Sequence, residues 1–192
     1  MTREPTGPGC ARHSGPGPSV TLSASASDAK GAARVDFYVG SQMVGTDSTA
    51  GGTSGQEYSA SLNSTTLPDG PTTVVARAYD AAGNVKVSAS RSMIVDNASP
   101  TGSVLINGGR ASTTRLAARL NLEASDATSG TPFVRIANTS ARLSTARWEP
   151  YAATKAWKLS ARGSKIKTVF VQYRDGAGNV SGVASDTIRY RR

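Results

Sequence analysis

The 192 residues include 22 Lys and Arg against 13 Asp and Glu, which gives a formal net charge of +9. One Cys and one His are present, Cys10 and His13, and both lie close to the start of the chain. A single Cys excludes a disulfide framework. A chain body without Cys or His excludes a Ser-His-Asp triad, a Cys-His nucleophile pair and a multi-ligand zinc site. Few Leu, Glu and Lys residues beside plentiful Val, Thr, Ser and Gly favour an all-β fold.

Residues 1–18 form a segment rich in Pro and Gly without an apolar run. We expect this leader to be disordered, because its composition offers almost nothing for a core. It is also not a secretory signal peptide, which requires an apolar segment. Nowhere does the chain approach the roughly 18 apolar residues of a membrane-spanning helix. Localisation therefore has to be inferred from the rest of the sequence.

An internal repeat organises residues 19–192. The segment Thr73–Val85 aligns with Thr168–Val180, and Leu22–Asp28 aligns with Leu120–Asp126 in the same order. The repeating unit is about 95 residues long, which is too long for a solenoid repeat and typical of a β-sandwich. The polar stretch Asp96–Pro100 separates the two copies. We therefore predict one domain over residues 19–97 and a second over 98–192.

Within each copy, apolar and polar residues alternate with a period of two, which is typical of strands with one face in a core. The predicted strands of the first copy are Val20–Ala26, Arg34–Val39, Gln42–Gly45, Tyr58–Leu62, Val74–Tyr79 and Val85–Val95. Those of the second are Ser103–Ile106, Arg119–Ala124, Phe133–Ala137, Ala156–Leu159, Val169–Arg174 and Val183–Tyr190. No segment has a sustained helical apolar stripe. The sequence thus predicts two β-sandwiches in tandem.

Several motifs of the first copy occur in a characteristic order: Val20-Thr-Leu-x-Ala-x-Ala-x-Asp28, Val35-Asp-Phe-Tyr-Val39, Leu67-Pro-Asp-Gly-Pro71 and Asp80-Ala-Ala-Gly-Asn84. In these motifs the first copy resembles the bacterial Ig-like domains of secreted and surface proteins. The second copy is similar to a sister type, through Ile106–Gly109, Trp148–Tyr151, Asp175–Asn179 and Ser185–Ile188. The resemblance implies two immunoglobulin-like β-sandwiches, usually non-catalytic, between or beside other domains of an extracellular or cell-surface polypeptide.

The first copy departs from this family at its start. Members usually have an apolar strand and a Gly-containing turn at this place, as the second copy has at Ser103–Gly109, whereas here the Pro/Gly leader precedes Val20. We therefore expect the first sandwich to lack its first strand and to expose an edge. We also expect the chain to be a fragment of a longer protein.

The two Asp-x-x-Gly-Asn segments, Asp80–Asn84 and Asp175–Asn179, have two interpretations. Gly allows a positive φ, and Asp and Asn side chains accept or donate hydrogen bonds in tight turns, so a purely structural role is favoured. The alternative is a Ca²⁺ site, because hard cations bind several oxygen ligands. Its candidate ligands are Asp28, Asp80, Asp96 and Asn97, with Asp126 and Asp175 as a weaker second set.

The densest aromatic group is Trp148, Tyr151 and Trp157. Exposed aromatic rings stack on sugars, so these residues could form a platform for glycans. The family motif instead places them in the framework, with the Trp148–Tyr151 segment pinned onto the sandwich and Trp157 in the core, and this interpretation is favoured.

The charge is concentrated in one copy. Residues 98–192 carry 15 basic and 5 acidic side chains, whereas residues 19–97 carry 5 basic and 7 acidic ones. The excess of positive charge in the second copy has two interpretations. It is either a solvated arginine-rich surface or a face that binds an anionic polymer. Nucleic acid is a poor candidate because no nucleic-acid-binding motif is present. We expect a non-catalytic spacer or interaction module without a cofactor other than Ca²⁺. The alternative is an accessory module that binds carbohydrate or anionic cell-wall polymer.

Overall fold

The structure, a computed structural model, describes residues 19–27, 31–49 and 56–191. The chain divides into two compact units, one up to Asn97 and one from Ala98 onward. Almost all regular structure in the described residues is β-strand. The predicted all-β fold class is therefore confirmed. The predicted leader, residues 1–18, lies outside the described residues.

The first unit consists of seven described strands arranged in two sheets. They are β1 (Ser19–Ala26), β2 (Ala32–Val39), β3 (Gln42–Asp47), β4 (Gln56–Asn63), β5 (Gly70–Asp80), β6 (Val85–Val87) and β7 (Arg91–Val95). Strands β1 and β4 form one antiparallel sheet. The second sheet has the order β3-β2-β5-β6, and β7 pairs with the first half of β5. Both sheets contribute to one hydrophobic core, as in a β-sandwich.

The period-two pattern determines which side chains enter this core. Val74 and Ala76 of β5 are buried, whereas the next residue, Arg77, is exposed. Phe37 on β2 and Tyr58 on β4 are fully buried. The Tyr58 hydroxyl donates to the carbonyl oxygen of Ala32 at 2.8 Å, so its one polar atom is satisfied inside the core.

The predicted strand Val85–Val95 is wrong in its extent, because it is broken into β6 and β7 around Ser88. The buried Ser88 donates its N–H to the Ala76 carbonyl, and its hydroxyl accepts the Ala76 N–H at 3.0 Å. A side-chain oxygen thus takes the place of the backbone carbonyl that a continuous ladder would use. Ser181 makes the same pair of hydrogen bonds with Tyr173 in the second unit. The interruption is therefore a repeated feature of the two units.

The described residues of the second unit form eight strands. They are β8 (Thr101–Ile106), β9 (Ser112–Thr113), β10 (Ala117–Ser125), β11 (Phe133–Ala137), β12 (Glu149–Pro150), β13 (Thr154–Lys158), β14 (Ile166–Arg174) and β15 (Ala184–Tyr190). One sheet has the order β13-β10-β8 and the other the order β12-β11-β14-β15-β9. A short helix that the sequence did not predict, α1 (Ser140–Leu143), follows β11 and is anchored by the buried Leu143.

The first two strands of the second unit each lie at the edge of one sheet. Strand β8 pairs with β10, and β9 pairs in parallel with β15. In the first unit β1, which aligns with β10, pairs only with β4 among the described residues. The predicted absence of a first strand concerns residues before Ser19, which lie outside the described part of the chain.

Candidate functional site

The Asp-x-x-Gly-Asn segments are tight turns held by their own carboxylates. Asp80 accepts hydrogen bonds from the backbone N–H of Ala82 and Asn84, at 2.9 and 2.8 Å, and from the Asn84 side-chain amide. The side-chain and backbone donors of Asn84 hold the pKa of Asp80 below its ordinary value. Gly83 has a φ of 87°, which a side chain at this place would disfavour.

Asp175 repeats this arrangement in a buried setting. Its carboxylate accepts the N–H of Gly178 at 2.6 Å, the N–H of Asn179 at 2.8 Å and the Asn179 side-chain amide at 2.8 Å. The residue is only 1% exposed. The hydrogen bonds of both turns are those of a structural role, because each carboxylate satisfies amides of its own loop.

Two of the candidate Ca²⁺ ligands of the first unit, Asp80 and Asp96, lie at opposite ends of β5. Gly70 at the start of β5 pairs with Val95, next to Asp96, whereas Asp80 ends the same 11-residue strand. At about 3.3 Å per residue, the two ends of β5 are roughly 33 Å apart. Asp28 lies outside the described residues.

The Asn97 side chain is occupied within its own unit. Its amide donates to Asp69 Oδ1 at 2.8 Å and to the Ser64 carbonyl at 3.1 Å, and its Oδ1 accepts the Ser64 hydroxyl. These bonds hold the end of β7 against the turn that follows β4, so the Asn97 oxygen is already in use.

The weaker carboxylate set does come together in the second unit. Carboxylate oxygens of Asp126 and Asp175 lie within 4.8 Å of each other. Asp126 Oδ1 accepts three backbone N–H groups, from Thr128, Ser129 and Gly130. The Ser129 hydroxyl in turn accepts the N–H of Gly176, which connects the two loops. Backbone amides therefore account for the position of both carboxylates.

The predicted aromatic group does not form one exposed platform, because Tyr151 and Trp157 both pack against the core. Tyr151 is part of the framework, because its hydroxyl donates to the Leu122 carbonyl at 3.0 Å and its ring meets Tyr173 edge-on. Trp148, directly before β12, lies against the guanidinium groups of Arg135 and Arg174, whose carbons are 4.7 and 4.8 Å from its ring centre.

Trp157 is on β13, in the other sheet from β12, where it is partly buried against the core. It is also the member of the group that borders a groove. Its indole N–H donates to Asn138 Oδ1 at 2.9 Å. We name the surrounding depression of about 770 Å³ the tryptophan groove. Its principal lining residues are Asn138, Thr139, Arg142, Thr145, Trp157 and Arg162.

A second depression of the same unit, of about 740 Å³, is formed by the chain between β8 and β10. Three exposed arginines line it, and none of them forms an ion pair with a carboxylate of the described residues. We name it the arginine groove, with the lining residues Asn107, Arg110, Ser112, Thr113, Arg115 and Arg119. No acidic side chain of the described residues lines either groove. Both are therefore electropositive.

The sequence reasoning missed a set of cation-π contacts on the outer faces of both units. In the first unit the Arg34 guanidinium lies 4.1 Å from the Tyr79 ring centre, and that of Arg77 lies 4.3 Å from the centre of Tyr38. In the second, Arg174 also covers Phe133. A pattern in the sequence could have predicted these contacts, because Arg and aromatic residues recur at outward positions of strands that pair with each other. Some of the arginine side chains are therefore engaged by aromatic rings of the same protein.

Comparison with known proteins agrees with this description. Residues 11–76 match the family model described as a bacterial Ig domain. The resemblance of the first unit to this family, seen in its motifs, is thereby confirmed.

Solved structures also match this chain, and the first of the three named here supports its β-sandwich fold. The fibronectin(III)-like modules of CbhA from Clostridium thermocellum are 17% identical, with a TM-score of 0.51 over 91% of this chain and 86% of that one. The tetra-tandem repeat in the extending region of a large adhesion protein is 18% identical, with a TM-score of 0.33, over 89% of this chain and 45% of that one. The BSP domain of a biofilm associated protein is 19% identical, with a TM-score of 0.29, over 97% of this chain and 29% of that one. The chain thus spans less than half of the last two.

A search of the curated proteins gave no match. Within the described residues, no helix is both long enough and apolar enough to span a bilayer.

Proposed function

We propose that this chain is a non-catalytic part of a bacterial extracellular or cell-surface protein, in which its Ig-like units act as spacers beside other domains. The match to a bacterial Ig domain supports the setting. The observation that best supports the non-catalytic role is that neighbouring carboxylates are already hydrogen-bonded to backbone amides. Asp126 and Asp175, which lie close together, are both engaged by backbone amides of their own loops.

General acid-base catalysis requires a titratable group within reach of a bound substrate. The residues that line the two grooves of the second unit are Arg, Asn, Ser, Thr, Trp and small apolar residues, none of which titrates near neutral pH. The grooves therefore supply binding groups without an acid or base.

The proposed role predicts no turnover by the purified chain. We expect rates equal to the buffer blank with a panel of chromogenic glycosides and esters, measured with protein whose far-UV circular dichroism confirms the β-fold. A hydrolytic activity that remains with the protein through two different chromatographic separations would contradict the proposal.

A second candidate function, binding of an anionic cell-wall polymer, is favoured by the arginine groove. Arg110, Arg115 and Arg119 present three guanidinium groups without internal ion pairs, and guanidinium binds phosphate and carboxylate groups in a bidentate manner. Asn107 and Thr113 add polar groups between them. Such a site would attract a repeating polyanion more strongly than a scattered set of charges.

Sedimentation with insoluble bacterial cell walls tests this second function. We expect the wild-type chain to sediment at low salt and to be released at moderate salt. The triple variant Arg110→Gln, Arg115→Gln, Arg119→Gln should lose about tenfold in affinity, which corresponds to about 1.4 kcal/mol. The matched control replaces three exposed basic residues outside both grooves, Lys86, Arg91 and Arg147, by Gln. Equal losses in the two triple variants would show diffuse charge instead of a site.

A further inference from the structure

The tryptophan groove has walls that are held in place before any ligand arrives. The Asn138 side chain accepts the Trp157 indole N–H at 2.9 Å and donates to the Lys158 carbonyl at 3.0 Å. One amide thereby fixes both its own orientation and that of the ring. Arg135 donates to the carbonyl of Ser144, directly before the lining residue Thr145, at 2.8 Å and ties the end of α1 to β11. A site whose groups are already oriented loses less entropy on binding.

The charge of the groove is positive and uncompensated. Arg142 and Arg162 are exposed at its rim, and neither forms an ion pair with a carboxylate of the described residues. Planar guanidinium groups pair best with planar or tetrahedral oxyanions such as carboxylate, sulfate and phosphate. One requirement for the ligand is therefore a negative group.

The remaining lining is amphipathic. Trp157 and Ala146 supply apolar surface, and Thr139, Thr145 and Ser160 supply hydroxyl groups. Aromatic rings bind ligands that have an apolar face, and a few convergent polar groups orient them. A simple polyanion has charge without an apolar face, whereas a sugar ring has C–H faces and a rim of hydroxyl groups. The second requirement is therefore a pyranose-like ring.

We propose that the tryptophan groove binds an acidic sugar of a glycan chain, with the ring against Trp157 and its carboxylate toward Arg142 and Arg162. The volume of about 770 Å³ lies within the range of roughly 300–1,000 Å³ that small-ligand sites occupy. The tryptophan groove is separate from the arginine groove, and binding there would be a function beyond the spacer role. Failure of this binding leaves the turnover and cell-wall experiments unaffected.

Fluorescence titration with oligogalacturonate tests the inference. The chain has two tryptophans, so the Trp148→Phe variant makes Trp157 the only indole. We expect a saturable change in its emission with oligogalacturonate. The fully methyl-esterified oligomer, which keeps the sugars without the charge, should bind about tenfold more weakly or worse, as expected for loss of a charge-assisted contact. Inorganic polyphosphate, which keeps the charge without the sugar, should not reproduce the emission change.

Two double variants complete the test in the Trp148→Phe background. Arg142→Gln with Arg162→Gln should weaken binding of oligogalacturonate about tenfold or more. The control, Arg189→Gln with Arg191→Gln, removes the same charge outside the groove and should change the affinity less than about twofold, because exposed distant charges are screened. Thermal unfolding confirms that each variant is folded. The proposal is overturned if the wild-type groove does not bind, if the methyl ester binds equally well, if polyphosphate gives the same emission change, or if the control loses as much affinity.

Discussion

Replacing Tyr173 by Ala should lower the free energy of unfolding of the second unit by about 4 kcal/mol, the usual scale for removing a buried aromatic ring. Tyr173 is fully buried on β14, within the core cluster of that unit. Its ring packs edge-on to Tyr151, with the centres 6.1 Å apart, and against the backbone of Gly102. Its hydroxyl donates to the Ser103 carbonyl, and burial raises the pKa of this hydroxyl. The variant leaves both a cavity and an unsatisfied carbonyl.

Urea denaturation followed by tryptophan emission measures this loss, because Trp148 and Trp157 both belong to the second unit. The matched control is Tyr173→Phe, which keeps the ring and removes only the hydroxyl donor. It should cost about 1–2 kcal/mol, since the Ser103 carbonyl loses its partner. If the two variants lose the same free energy, the ring contributes little to packing and the prediction is wrong.

Replacing Asp175 by Ala should also destabilise the second unit, by about 2–3 kcal/mol. The carboxylate is 1% exposed and accepts the N–H groups of Gly178 and Asn179, so its removal breaks two hydrogen bonds of the turn and empties the space of a buried side chain. Tryptophan emission in urea again reports the change. Asp175→Asn should lose less, because an amide oxygen can still accept one of these bonds.

The first unit supplies an internal comparison for this prediction. Asp80 makes the same turn, but it is less buried, and water can hydrate the freed amides of Ala82 and Asn84. Asp80→Ala should therefore lower the melting temperature, followed by circular dichroism, by less than Asp175→Ala does. An equal or larger drop for Asp80→Ala would show that burial does not set the strength of this turn.

The alternating residues predicted most of the strands correctly, because alternation reports directly which face of a strand can be buried. Val74 and Ala76 enter the core as the pattern indicates. The same reasoning failed at Ser88, which the pattern placed inside a continuous strand. Its hydroxyl accepts the N–H of Ala76 in place of a backbone carbonyl. This bond forms only because β5 lies beside Ser88, which the local pattern around Ser88 does not show.

The aromatic group shows the same limit more sharply. Trp148, Tyr151 and Trp157 are close in sequence, so the sequence suggested one cluster. The chain turns between β12 and β13 and places these two strands in different sheets. Trp148 then contacts arginines, whereas Tyr151 and Trp157 both pack against the core, and Trp157 also borders a groove. Proximity along the chain does not decide which sheet a residue joins, because sheet pairing is made by distant segments.

The sequence by itself determined the all-β class, the repeat, the two Asp-x-x-Gly-Asn turns and the concentration of positive charge after residue 98. Each of these is a local pattern or a count, so it needs no knowledge of distant contacts. Only the tertiary structure decided what the charge does. It stacked Arg135 and Arg174 on Trp148, and it left the arginines of the two grooves without carboxylate partners among the described residues. Whether an arginine is engaged or available depends on what folding brings within a few ångströms, because ion pairs and cation-π contacts act only at short range.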